Sequence, residues 1–350
     1  MTSERPDPIE FVLFELTGGT DAPAGAGTGE RVAATPAPGE AEPSPPGYLD
    51  LLNVWWDAPA NFPSHLNVFE RYSSLPDRCR RAVVAIGKFD GLHLGHRALI
   101  DTAATIADEL GAPLGVLTFE PHPRAVFEPE AGPFRLMAPQ ARARWMDELG
   151  VDLLLTQKFD REFASLSPED FVKEVLVRGM AVRHVVVGHD FRFGSKRGGD
   201  AAMLKALGEK HGFGVSVVGA VVVDGEVAGS TTVREHLRGG RPRAAARVLG
   251  RPWEVEGVLV AGPGGVPSLD LGAHVAPAPG WYGVRVADAT AREEPAWHSV
   301  HARVSDAGNG RATLALTDLP QSVAKALAGR PVRVAVVDFV WAEGEAEPEL

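Results

Sequence analysis

Two histidines, His93 and His96, bracket Leu94-Gly95 in the stretch Ala82-Val-Val-Ala-Ile-Gly-Lys-Phe-Asp-Gly-Leu-His-Leu-Gly-His-Arg97. Imidazoles donate hydrogen bonds to phosphate oxygens, and a glycine between them lets the backbone approach the same ligand. Val83 to Ile86 is apolar and β-branched, which predicts a buried strand, and Arg97 to Leu110 carries helical period. Strand, glycine turn and helix together aim backbone N–H groups and a helix dipole at an anion. A bare His-x-Gly-His is otherwise a surface turn, and the flanking elements favour the anion site.

Three further loops carry chemistry. Glu120-Pro-His-Pro123 ends an apolar run, Pro113 to Phe119, that reads as a strand stopped by its prolines. Asp190-Phe-Arg-Phe-Gly194 mixes Phe191 and Phe193, which can stack on a planar ring, with Arg192, which can pair with phosphate. The alternative for that loop is a core-facing Phe pair beside a surface Arg. Its continuation, Gly194-Ser-Lys-Arg-Gly-Gly199, is flexible and basic, suited to closing over phosphates. Gly229-Ser-Thr-Thr-Val-Arg234 sets hydroxyls and an arginine at a helix start, which on spacing alone is a helix N-cap.

The elements that must hold these loops alternate between strand and helix. Helices are expected near Ala138 to Leu149, from Ser167-Pro-Glu-Asp170 to Arg178, and over Ala201 to His211. Strands are expected at Asp152 to Thr156, His184 to Gly188 and Gly214 to Val222. This alternation predicts an α/β fold, a Rossmann-like doubly wound parallel sheet, with ligands beyond the carboxyl ends of its strands. All four loops fall there, which argues for one composite site. After Gly250 short strands at Trp253–Val260, Tyr282–Val286, Ser299–Val304, Ala312–Leu316 and Val332–Val337 predict a small antiparallel β-barrel-like domain. The domain plan is a disordered extension over 1–47, a lead-in over 48–80, the α/β domain over 81–250, the β domain over 251–341 and an acidic tail over 342–350. Glu10 to Leu16 is an apolar island within the extension.

Bulk properties narrow the class. At 350 residues there is ample chain for a buried core. The net charge of −11 gives no nucleic-acid footprint. Cys79 is the only cysteine, so an intrachain disulfide and a multi-cysteine zinc site are excluded. No signal-peptide pattern opens the sequence, and its longest apolar run, Val215 to Val223, is too short to span a bilayer. A soluble cytoplasmic protein is expected.

In this order the motifs resemble the HxGH nucleotidyltransferases, and within them the bacterial FAD synthetases, which join an FMN adenylyltransferase to a riboflavin kinase. The pieces are Gly87 to His96, Thr118-Phe-Glu-Pro-His-Pro123, Gly188-His-Asp-Phe-Arg-Phe-Gly194, Gly229-Ser-Thr-Thr-Val-Arg234 and Leu249-Gly-Arg251. The resemblance implies FMN and ATP, with Mg²⁺ accompanying ATP, as substrates, and FAD and pyrophosphate as products. It implies His93, His96 and Arg234 as catalytic residues, and Gly87, Phe89, Asp90, Gly91, Gly95, Ser230 and Thr231 around ATP. It implies Phe119, Pro121, His122, Pro123, Asp190, Phe191, Arg192 and Phe193 around the flavin and its phosphate. No metal-ligand set is assigned; Asp90 either contacts metal through water or orients its turn. Gly229 departs from the family's usual Ser at that position. Other readings are a nucleotidyltransferase with a different phosphorylated acceptor, a bifunctional enzyme, and a non-catalytic flavin- or nucleotide-binding regulator.

The family's kinase half carries Gly-Phe-Pro-Thr-Ala-Asn, against which this chain offers Gly265-Val-Pro-Ser-Leu-Asp270. The family's late-strand Glu has no counterpart in Arg311-Ala-Thr-Leu-Ala-Leu316. Pro279-Gly-Trp-Tyr-Gly283 resembles the strand that follows the kinase loop. A β domain that keeps a riboflavin-kinase-like barrel but has little or no kinase activity is expected.

Overall fold

A computed structural model describes residues 65–291, 295–308 and 310–342. The expected extension over 1–47, most of the lead-in, and the tail after residue 342 lie outside the described residues.

Strands β1 (Asn67–Phe69), β2 (Val83–Ile86), β3 (Leu114–Glu120), β4 (Leu153–Lys158), β5 (His184–Gly188) and β6 (Gly214–Val218) form one sheet. All neighbours are parallel, in the order β1-β4-β3-β2-β5-β6. The central strand β2 reads as an unbroken apolar run because both its faces are covered. Val84 and Ile86 join Leu117, Leu155, Val185 and Val187 on one face, while Val83 and Ala85 join Leu114, Val116, Leu154 and Val186 on the other. Each such side chain contributes on the order of 1.5–3 kcal/mol by leaving water.

Helices α1 (Leu94–Leu110) and α3 (Pro139–Glu148) cover the second face through Leu99, Ile100, Ala103, Ala141 and Met146. Between them lies the single short helix α2 (Pro123–Phe127). The first face is covered by α4 and α5 (Ala201–His211). Helix α4 starts at Pro168–Asp170 with Ser167 as its cap and continues with π-type bonding over Phe171–Gly179. The chain crosses from β4 to the far side of β2 before entering β5, so β2 and β5 flank the topological switch point, where such sheets bind ligands.

Three boundaries differ from the sequence reading. Asn67–Phe69, expected in a lead-in loop, pairs along β4 as an edge strand. Helix α1 begins at Leu94 rather than Arg97, because His93 adopts extended geometry and caps it. The run after Gly214 stops at Val218 and is followed by a small hairpin, β7 (Val222–Val223) and β8 (Glu226–Val227).

Helices α6 (Ser230–Arg238) and α7 (Pro242–Leu249) lead into the second sheet. Its strands are β9 (Trp253–Val258), β10 (Val260–Ala261), β11 (Pro267–Asp270), β12 (Gly280–Asp288), β13 (His298–Gly308), β14 (Arg311–Leu316) and β15 (Pro331–Ala342). They form a curled antiparallel half-barrel in the order β9-β15-β12-β13-β14-β11-β10, with α8 (Gln321–Leu327) before the last strand. Alternate residues such as Val300, Ala302 and Val304 point inward, the period-2 pattern of a half-buried sheet. β11 was not anticipated as a strand. The barrel core extends into Val233, Leu237, Ala245, Val248 and Leu249 of α6 and α7, so packing does not stop at the expected boundary near residue 250.

Candidate active site

The loop leaving β2 is strained and pinned. Phe89 and Leu92 hold left-handed backbone angles, φ 51° and 46°, which non-glycine residues seldom adopt. Their side chains are buried in the sheet's core, and Arg251 donates from the other side to the carbonyl oxygens of Gly91 and Leu92 at 2.9 and 3.1 Å. Gly91, at φ 88°, has no room for a side chain because Leu136 lies against it. Gly95 is equally constrained: a Cβ there would stand 2.8 Å from the Ala228 carbonyl and 3.1 Å from the His93 ring.

His93 is the N-cap of α1, its Nδ1 accepting the backbone N–H of His96 at 3.3 Å. That bond leaves the His93 proton on Nε2, making Nε2 a donor. The two rings stack with centroids 3.6 Å apart, and His96 also meets Phe89 at 5.0 Å. Both imidazoles are buried. Burial, then Arg234, Arg251 and Lys88, brings His93 down to about 3. Burial, then His93 and Lys88, holds His96 well below the ordinary histidine range. His96 Nδ1 is enclosed without a hydrogen-bond partner.

Arg234, on α6, enters the same site from the opposite side. Its Nε donates to the Phe134 carbonyl at 2.6 Å and its terminal nitrogen to Asp90 Oδ2 at 2.5 Å. Asp90 Oδ1 accepts the N–H groups of Leu136 and Met137 at 2.9 and 3.2 Å. These bonds tie the Asp90 carboxylate to Leu136, Met137 and Arg234. Ser230 Oγ donates to the Asp90 carbonyl at 2.8 Å, whereas Thr231 is exposed. Gly229 occupies the N-cap of α6 and brings no side-chain cap, so no hydroxyl competes there for the helix's first N–H groups.

His122 caps α2, its Nδ1 accepting the Arg124 N–H at 3.1 Å, and its ring sets an edge against Phe134 at 4.9 Å. Burial, then Lys88 and Arg135, brings it to about 3. Arg124 and Arg234 lie over the Phe134 ring at 5.1 and 5.6 Å. Pro121, after a cis peptide bond, is exposed, and Pro123 opens α2. Glu120 is half-buried against the buried Arg135 and Arg142; burial pushes its carboxyl up, and the two guanidiniums outweigh that to hold it below the usual range.

The loop after β5 divides in two. Phe193 is buried in the core beside Phe171, and Phe191 stacks on it at 5.5 Å. Asp190 and Arg192 are exposed, Arg192 lying 3.6 Å from Asp200. Phe163 links Phe171 to Phe119, and Phe159 meets Phe119 and the exposed Phe127, so a run of aromatic rings joins the ends of β3, β4 and β5.

The structure thus joins Asp90, Ser230 and Arg234 in one set of contacts and His93 with His96 in another; Arg234 lies close enough for its charge to act on both imidazoles, and His122 is reached through Phe134. Phe119, Phe191 and Phe193 lie along the aromatic run. Lys88, Phe134, Arg135, Arg142, Phe159 and Phe163 were not singled out from sequence. Lys88 stood inside the quoted motif; the others carry no local signal, since only packing brings them to the loops. Among the described residues no group of three or more His, Cys, Asp or Glu side chains is placed to hold a metal ion.

Paired imidazoles at a helix N-terminus, with a buried arginine nearby at a sheet's switch point, lie where α/β sheets of this kind bind their ligands. The family model described as FAD synthetase matches residues 75–232, and the chain belongs to that family. The bifunctional riboflavin kinase/FMN adenylyltransferase of Pseudomonas fluorescens is 38% identical over 242 residues, covering 67% of this chain and 77% of that protein. The protein of the same description from Escherichia coli K12 is 34% identical over 233 residues, covering 65% and 74%. A crystal structure described as a macrolide-efflux protein from Streptococcus pneumoniae matches with a TM-score of 0.67 at 25% identity, over 81% of this chain and 93% of that one. No helix among the described residues is long and apolar enough to cross a membrane.

Proposed function

We propose that the chain is an FMN adenylyltransferase, converting FMN and Mg-ATP to FAD and pyrophosphate. The observation that carries the reading is the convergence of the stacked His93–His96 pair and the Asp90–Arg234 pair beside the helix α1 N-terminus. Family membership supplies the substrates by analogy with relatives that bear both activities in their names.

In this mechanism an oxygen of the FMN phosphate forms a bond to the α-phosphorus of ATP. The bond from that phosphorus to the bridging oxygen breaks, and its electron pair leaves with pyrophosphate. The nucleophile is already ionised, so no general base is required, and catalysis rests on positioning and charge stabilisation. His93 Nε2–H donates as a neutral group. Lys88 and Arg234 supply the cationic field, which, after burial, lowers the histidines. Mg²⁺ enters as part of the ATP substrate, and the aromatic run receives the flavin.

The β domain is read as having lost riboflavin kinase activity. Ser268 donates its hydroxyl to Val266 O at 3.0 Å, Leu269 is in the core, and Asp270 pairs with Arg311. The side chains of Ser268, Leu269 and Asp270 thus find partners within the β domain.

The test supplies purified protein with Mg-ATP and either FMN, other phosphorylated acceptors or no acceptor, following pyrophosphate and FAD fluorescence. FAD formation specific to FMN is expected. Pyrophosphate released only with another acceptor, or none with any, overturns the assignment.

A further inference from the structure

Residues Phe134 to Met137 form a strap bonded on both sides. Toward the histidine turn, the N–H groups of Leu136 and Met137 hold Asp90, and the Phe134 carbonyl holds Arg234. Toward the β domain, the Phe134 and Arg135 N–H groups donate to Ala273 O at 3.1 and 2.9 Å, and Val275 N–H donates to Arg135 O at 2.8 Å. Trp253, the first residue of β9, donates its indole N–H to Leu136 O at 2.8 Å. The Leu136 side chain belongs to the same apolar cluster as Trp253, Leu271 and Val275.

These bonds leave the Asp90 carboxylate little freedom of its own. Both its oxygens are committed, one to strap amides and one to Arg234, whose Nε is committed to the strap as well. Displacing the strap would therefore move carboxylate and guanidinium together, relative to histidines fixed on α1. Reactions that depend on positioned charge lose about 10²-fold when a group is misplaced by about 1 Å.

We propose that the C-terminal β domain is a positioning element of the adenylyl-transfer site, with Trp253 and the segment 273–275 setting the orientation of the Asp90–Arg234 pair through the strap. The proposal rests on the adenylyltransferase reading for its kinetic consequences and on geometry alone for its structural one. It gives the β domain a role in the first domain's chemistry that needs no kinase activity.

Trp253→Phe keeps an aromatic body and deletes the donor. Expected results are at least tenfold faster hydrogen exchange at the Leu136 and Met137 amides, unchanged exchange in β2 and β5, and a roughly tenfold fall in kcat for FAD formation with KM for FMN little changed. In an Arg234→Lys background the same substitution is expected to cost less than twofold, because a residue acting through Arg234 is not additive with it. General loosening instead raises exchange everywhere and adds to the Arg234 effect; either outcome overturns the proposal, as does unchanged exchange at Leu136 and Met137. If Trp253→Phe does not fold, the wild-type chain decides: Mg-ATP should slow exchange at the Val275 amide, by the reciprocity of coupled sites, and no slowing there overturns the proposal. If the wild-type chain makes no FAD, the adenylyltransferase reading fails by itself, and exchange in the variant judges the strap.

Discussion

The rings of His93 and His96 stack at 3.6 Å, with His93 Nδ1 accepting the His96 backbone N–H. Two imidazolium ions at that separation would repel strongly in a buried site, and the positive end of α1 opposes protonation further. The pair is neutral at physiological pH, so in the proposed reaction it would serve phosphate as a hydrogen-bond donor rather than as a charge.

Acid should unfold this protein through its histidines. Burial first, with cationic neighbours second, lowers His93 and His122 from the ordinary 6.5 to about 3, and His96 also falls well below its ordinary value. Between those values the unfolded chain binds more protons than the native one, so stability rises with pH across the window and is lost as pH falls from 6.5 toward 3. Each histidine contributes up to about 1.4 kcal/mol per pH unit there. Urea midpoints should be level above pH 7 and fall steeply from pH 6 to 5. A midpoint unchanged between pH 7 and 5 would contradict neutral burial of these rings.

His96→Ala should lower adenylylation turnover by roughly 10²–10³-fold, the range for removing one preorganised stabiliser. The buried ring also packs on Phe89 and His93, so a stability loss of about 0.5–3 kcal/mol is expected with it. Stopped-flow FAD fluorescence and thermal melting read the two effects separately. Wild-type turnover would remove His96 from the chemistry.

Asp90→Asn should destabilise more than Arg234→Lys. The first leaves a buried guanidinium without its counter-charge, which typically costs about 3–5 kcal/mol. The second keeps the charge but cannot bond both Phe134 O and Asp90, so its expected effect is a fall in turnover of about 10²-fold. Equal melting temperatures for the two variants would show that Arg234 does not depend on Asp90 for its counter-charge.

Riboflavin with Mg-ATP should give no FMN at a rate comparable to adenylylation. An alcohol nucleophile needs help losing its proton, and losing a general base costs about 10²–10⁴-fold. Chromatographic detection of FMN formed as fast as FAD would restore the bifunctional reading.

The sequence by itself determined the local architecture and the addresses of the loops. The apolar runs at Val83–Ile86 and Val185–Val187 read as strands covered on both faces, and Ser167-Pro168 followed by two acids reads as a capped helix start. Such signals are periodic or adjacent in the chain, so they are legible without a fold. Even there, helix α1 starts three residues earlier than its apolar period indicated, because the capping side chain is a histidine. Tertiary structure alone decided what each loop residue faces. Asp90 meets Arg234 across 144 positions, and Trp253 meets Leu136 across 117. It also decided that Phe193 sits in the core, and that Pro267–Asp270 is a strand, because β14 offers it a pairing edge. The physical reason is that a buried charge or indole needs a partner, yet nothing in local sequence names which one; only the packing of the two sheets around residues 134–137 selects it.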